Sequence, residues 1–173
     1  FALDDISFTA LPTATITGSN SVCLNSVGNS ITLTGANGIA PYTFVYNING
    51  GASQSISTTL GNSTTVAVPT NIVGPFNYNL ESVSYGTAPA PVFLQNQIGT
   101  ATVNVLSLPT ATISGDAYVC SGSTGVITFT GTPNATVNYT INNGSNQSIL
   151  LNGAGSATVT SPPLTASSVY DLV

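Results

Sequence analysis

The chemistry open to this 173-residue chain is bounded by a short roster of side chains. The acids are Asp4, Asp5, Glu81, Asp116 and Asp171, the thiols are Cys23 and Cys120, and Lys, Arg, His, Met and Trp do not occur. A cysteine nucleophile needs a base such as histidine to make it a thiolate. A phosphate-cradling loop needs a lysine behind its glycines, and a zinc site needs a cluster of His or Cys. None of these can be assembled here. Two carboxylates can flank a glycosidic bond, but the acids fall at unmatched places in the internal repeat described below. There Asp116 aligns with Ser19, Asp171 with Asn79 and Glu81 with Val173. Scattered acids of that kind read as surface solubilisers, and the chain reads as a non-enzyme. Aromatic rings can stack on sugars. Tyr42, Phe44 and Tyr46 alternate along one segment and share a face, which suits a core. Tyr85 and Phe93 lie in the irregular-looking stretch 85–99 and are the better candidates for an exposed ligand contact.

The elements that must position these residues are strands. The composition is 42% hydrophobic and only 3% charged, with a net charge of -5. Thr, Ser, Asn and Gly carry the solvation, and high β-branched content favours pleated structure. With no cation to neutralise phosphates, nucleic acid is excluded as a partner, and so is attraction to anionic lipid. No apolar run reaches the length of a membrane span. The absence of an initiator Met leads us to expect a processed product or an internal fragment. Five N-x-S/T sequons, beginning at Asn62, Asn134, Asn138, Asn143 and Asn146, follow from the abundance of Asn, Ser and Thr.

The chain repeats itself. LPTATITGSNSVC (11–23) returns as LPTATISGDAYVC (108–120), ITLTG (31–35) as ITFTG (127–131), and YNINGGASQSI (46–56) as YTINNGSNQSI (139–149). TVAVP (65–69) aligns with TVTSP (158–162), and YNL (78–80) with YDL (170–172). A period of about 97 residues is too long for a solenoid unit and suits a whole sandwich domain. Within the first copy, strand patterns run over 13–17, 30–34, 42–48, 54–58, 64–68, 76–84 and 100–106. Asn49-Gly50 marks a turn, because both residues accept positive φ. Seven short strands predict an immunoglobulin-like β-sandwich, with Tyr78 near the start of the sixth strand placed as a tyrosine corner. The second copy reaches Val173 within its sixth strand and has no counterpart of the seventh.

This order of segments, LPTATISG…VC, ITFTG, PYTF.YNINGG, TVAVP, YNLESVS and GTATVNV, resembles the tandem Ig-like or PKD-like repeats of large Bacteroidetes cell-surface adhesins, including gliding-motility adhesins and other cargo of the type 9 secretion system. The resemblance implies an extracellular stalk repeat at the bacterial cell surface. It also implies a disulfide from the Cys before the second strand to the loop before the last strand. In the first copy that loop (87–97) contains no Cys. Cys23 is therefore expected as a small buried hydrophobe, while Cys120 is open either to that role or to a bond with a more distant Cys. FALDDISF (1–8) resembles the closing strand of jelly-roll domains, in which such an Asp can ligate a structural calcium, so Asp4 and Asp5 are the candidate metal ligands.

The expected organisation is all-β. Residues 1–8 form the last strand of a preceding domain, 9–106 a first Ig-like repeat, and 107–173 a second, C-terminally truncated one. Prolines in TALP (9–12) and LSLP (106–109) stiffen the joints. The expected partners are neighbouring repeats of the same chain, with secretion machinery and surface glycans as further candidates. The leading expectation is a stalk that projects a binding tip. One rival is a filament subunit that self-assembles when a neighbour's strand, such as residues 1–8, completes the truncated module. The other is a carbohydrate-binding module using Tyr85 and Phe93.

Overall fold

The computed structural model describes residues 10–86, 93–116 and 118–173. Asp4, Asp5 and the 1–8 segment lie outside the described residues. The chain divides between Ser107 and Leu108 into two compact units. Every element among the described residues is a β-strand or a turn.

In the first unit, β1 (Thr13–Thr17), β3 (Ser30–Ala36) and β6 (Ser63–Ala67) form one antiparallel sheet in the order β1-β3-β6. The second sheet is built from β2 (Asn20–Cys23), β8 (Phe93–Leu106), β7 (Gly74–Tyr85), β4 (Tyr42–Ile48) and β5 (Gln54–Ser57), in the order β2-β8-β7-β4-β5. The inner faces of both sheets meet in one core containing Ile31, Leu33, Tyr42, Phe44, Tyr46, Val68, Tyr78, Leu80, Val83, Ala101 and Val103. Alternation explains which residues point inward: Tyr42, Phe44 and Tyr46 are buried on β4 while the residues between them are half-buried. Two sheets facing each other across such a core make an immunoglobulin-like sandwich.

The first strand of the sandwich changes sheets. β1 pairs with β3, the chain turns at Gly18 (φ 113°), and β2 then runs parallel to β8, Val22 opposite Val105. A Cβ at Gly18 would meet the Ser30 carbonyl oxygen at 2.9 Å, so both the dihedral and the space select glycine there. The Ile48 carbonyl accepts from the Gly51 amide, closing the turn over Asn49 (φ 53°) and Gly50 (φ 73°). This is the primed turn geometry that Asn-Gly favours.

Among the described residues, the second unit repeats the plan with six strands. β9 (Ala111–Gly115), β10 (Val126–Gly131) and β13 (Ser156–Thr160) form a sheet in the order β13-β10-β9. β11 (Thr136–Ile141), β12 (Gln147–Leu150) and β14 (Tyr170–Leu172) form the other, in the order β12-β11-β14. Its core holds Ile127, Phe129, Val137, Tyr139 and Leu151. Phe129 and Tyr139 contact across the two sheets with ring centroids 4.8 Å apart. Among the described residues, no strand pairs with the second edge of β14.

Four expectations need correction. Among the described residues the first unit has eight strands, not seven, because β2 forms by parallel pairing with β8 and has no alternation of its own to announce it. The irregular reading of 85–99 fails from Phe93 onward. β8 begins there and pairs with the end of β7, Tyr85 opposite Phe93. Cys23 is exposed, because Val22 takes the inward position on β2 and the next residue points away; Cys120 is exposed as well. Tyr78 is fully buried, yet its hydroxyl has no hydrogen-bond partner among the described residues, so it does not form a tyrosine corner. Its ring packs beside Tyr46, with centroids 6.2 Å apart, and the core rather than the backbone holds it.

Candidate functional site

Of the aromatic candidates, Tyr85 closes β7 and is half-buried against the first core. Its ring lies 6.2 Å from that of Tyr42, and a Cβ at Gly38 would sit 2.5 Å from it, so glycine there makes room for the ring. Phe93 opens β8 directly across the ladder from Tyr85. The candidate calcium ligands Asp4 and Asp5 fall outside the described residues. Among the described residues, no group of three His, Cys, Asp or Glu side chains is arranged to hold a metal ion.

The acids are accounted for one at a time. Glu81 sits on the outer face of β7. Its Oε1 accepts from Asn47 Nδ2 and its Oε2 from Ser53 Oγ, both at 2.7 Å. These two neutral donors favour the ionised carboxylate and hold Glu81 below the usual glutamate range, the Asn47 bond contributing most. The network continues across the sheet. Asn79 Nδ2 donates to Asn47 Oδ1 and Thr100 Oγ1 donates to Asn79 Oδ1, each at 2.9 Å. Thr102 Oγ1 donates to Asn77 Oδ1, also at 2.9 Å. The arrangement stitches β4, β7 and β8 with side-chain bonds of the cross-strand type. It forms a polar ladder across three strands. Asp116 caps the start of β10, its Oδ2 accepting from the Val126 amide at 3.0 Å. Asp171 lies on β14 opposite Thr140 and is exposed.

The concave feature of the second unit is a groove of about 460 Å³, bordered by Asp116, Tyr118, Val119, Ile127, Ser161 and Tyr170 among others. A smaller cavity of about 260 Å³ shares Asp116, Ile127 and Tyr170 and extends toward Ile113. The first unit shows what occupies the corresponding place. There β8 lies between β2 and β7, and by the repeat β2 corresponds to residues 117–120 and Tyr78-Asn79-Leu80 to β14. The open place tells on burial: Leu80 is 4% exposed while its counterpart Leu172 is 38% exposed, and Ile31 is 0% exposed while Ile127 is 8%. The sequence analysis expected a second copy that stops within its sixth strand. It missed the groove, because the other bank is made by the counterpart of β2, which no pattern flagged.

No family model matches the chain, and no curated protein matches it. The chain is similar to solved structures of two bacterial adhesins. One is described as a Ca2+-stabilized adhesin that helps an Antarctic bacterium reach out and bind ice. It shares 16% identity over 95% of this chain and 48% of that one, with a TM-score of 0.48. The other belongs to a 1.5-MDa bacterial ice-binding adhesin described in connection with host cell surface retention. It shares 16% identity over 88% of this chain and 54% of that one, with a TM-score of 0.48. The chain spans about half the length of these solved chains.

Proposed function

We propose that this chain is a stalk segment of a secreted bacterial cell-surface adhesin, of the kind carried by gliding-motility proteins exported through type 9 secretion. One observation carries the reading. The same sandwich plan is built twice in one polypeptide, with core residues at matched places: Ile31 and Ile127, Leu33 and Phe129, Tyr46 and Tyr139. Selection for repeated architecture without a repeated chemical site fits a part whose work is to span distance. The surface supports it. Thr, Ser and Asn cover the outer faces and hydrogen-bond across strands, as in the Thr34–Ser63 and Thr43–Ser57 pairs. Such a surface stays hydrated without cations. It also offers no Lys or Arg to trypsin-like proteases.

The test is a length exchange in the parent adhesin at the cell surface. Removing the segment should reduce adhesion, and inserting an unrelated pair of sandwich domains of the same span should restore it. If only the native sequence restores adhesion, the segment binds something itself and the spacer reading falls.

A further inference from the structure

We propose that Asn143 is a modification site: it cyclises with Gly144 and hydrolyses to aspartate and isoaspartate, ahead of the other Asn-Gly pairs of the chain. The proposal stands on the geometry of one turn and does not depend on the stalk reading.

The chemistry needs only water. The Gly144 nitrogen attacks Asn143 Cγ and gives its proton to the solvent. A C–N bond forms, the Cγ–Nδ2 bond breaks, and ammonia leaves behind a five-membered succinimide. Water then adds to one of the two ring carbonyls. Opening on one side restores the main chain with an aspartate side chain; opening on the other routes the main chain through the side-chain carboxyl as isoaspartate. An amide and a water become a carboxylic acid and ammonia, with nothing oxidised or reduced. Glycine favours the step because it puts no Cβ beside the attacking nitrogen. The carboxamide must also be free to swing over that nitrogen, and this requirement separates the candidates.

Four Asn-Gly pairs occur, at 37–38, 49–50, 143–144 and 152–153. Three have their carboxamides tied. Asn37 Nδ2 donates to Thr13 Oγ1 at 3.2 Å, and the Gly38 amide donates to the Tyr42 hydroxyl at 2.9 Å. Asn49 Oδ1 accepts from the Asn77 amide at 2.8 Å, its Nδ2 donates to the Pro75 carbonyl at 3.2 Å, and the Gly50 amide donates to Asn47 Oδ1 at 2.9 Å. Asn152 Oδ1 accepts from the Ala154 and Ser156 amides at 2.9 and 3.0 Å. Asn143 is exposed, and among the described residues none of its own atoms makes a hydrogen bond.

The repeat explains the difference. Asn142 holds the place of Asn49 and is pinned in the same way: its amide donates to the Val169 carbonyl, and its Oδ1 accepts from the Val169 amide at 2.8 Å. Asn143 holds the place of Gly50, at φ 56° against 73°. The Asn-Gly pair is thus shifted one residue along the turn, from the pinned position to the free one. A side chain there also sits in the left-handed region that glycine occupies without cost. One exposed contact restrains the reacting nitrogen, the turn-closing bond from the Gly144 amide to the Ile141 carbonyl at 2.9 Å.

The experiment incubates the whole folded chain in warm, mildly alkaline buffer and follows it by chymotryptic peptide mapping with mass spectrometry. Cleavage after Tyr, Phe and Leu places the four pairs in four separate peptides, Thr34–Tyr42, Asn47–Leu60, Thr140–Leu150 and Asn152–Leu164. Conversion at Asn143 should outpace the other three by about tenfold or more, since those must first open locally. In urea the four rates should converge. Asn143→Gly puts a glycine directly after the pinned Asn142 and keeps a turn that Asn-Gly favours. Its Thr140–Leu150 peptide should convert as slowly as Asn47–Leu60. Three results would overturn the proposal: a tied pair converting as fast as Asn143 in the folded chain, the same lead for Asn143 in urea, or rapid conversion at Asn142 in the Asn143→Gly variant.

Discussion

Tyr78→Phe tests the reading of the first core by the sign of its effect. A tyrosine corner gains stability from its hydroxyl, so deleting that oxygen would cost stability. In this structure the ring is fully buried and the hydroxyl has no partner among the described residues. A buried hydroxyl without a partner costs about 1–3 kcal/mol of desolvation, and Phe fills the same ring volume. The variant should therefore gain about 1 kcal/mol, which for a unit of this size raises Tm by about 4–8 °C. Urea unfolding followed by tyrosine fluorescence, with calorimetry beside it, would measure both quantities. Alkaline titration gives a second reading of the same group. Burial, with a smaller contribution from Tyr46, pushes the Tyr78 hydroxyl above the ordinary tyrosine value. The unfolded chain then loses this proton at lower pH than the native state does. Stability is full below about pH 10 and falls as pH rises from there through the folded value. In Tyr78→Phe this part of the alkaline loss should disappear. A variant less stable than the parent by 1 kcal/mol or more would refute the argument, because it would show that the hydroxyl is bonded in solution.

The remaining predictions address other parts of the molecule. Gly35→Ala places a Cβ 2.5 Å from the ring of Tyr42, which is itself fully buried. The overpacking should cost about 1–3 kcal/mol in a denaturant titration. Phe129→Ala removes the central ring of the second core and should cost about 3–5 kcal/mol. In NMR spectra the Tyr139 and Tyr170 signals should collapse while those of Tyr42 and Tyr78 persist; loss of all four together would show that the two units fold as one. Glu81 is held ionised by Asn47 and Ser53, so its contribution is present above the unfolded glutamate value of about 4.3 and is lost as pH falls through its lower folded value. The acid-side slope of stability should flatten in Glu81→Gln, and identical slopes would remove the carboxylate from the account.

What was legible in the sequence was whatever one strand declares by itself. Residues 42–46 alternate large rings with smaller side chains, and the structure buries those rings in the first core. Asn49-Gly50 announced its positive-φ turn for the same local reason. Tyr78 shows the limit. Its position on the sixth pattern was readable, but whether a hydroxyl finds a partner depends on groups brought near by other strands, and among the described residues the core around Tyr46 offers none. The extent of β8 was misjudged because Gln95-Asn96-Gln97-Ile98 carries no apolar alternation; β7 recruits it into the ladder, with Ser82 opposite Asn96 and Tyr85 opposite Phe93.

β2 makes the deeper point, because the molecule contains its own control. Asn-Ser-Val-Cys at 20–23 becomes a strand with β8 alongside it. Its counterpart at 117–120 has the same Val and Cys, and the same anchoring bonds after it. Among its described residues, Tyr118–Cys120 is not a strand, and no β8 equivalent is described beside it. Strand character at this place is thus a property of the pair and not of the four residues, as expected where backbone groups gain their bonds only from a neighbour. No reading of residues 20–23 alone could have found β2.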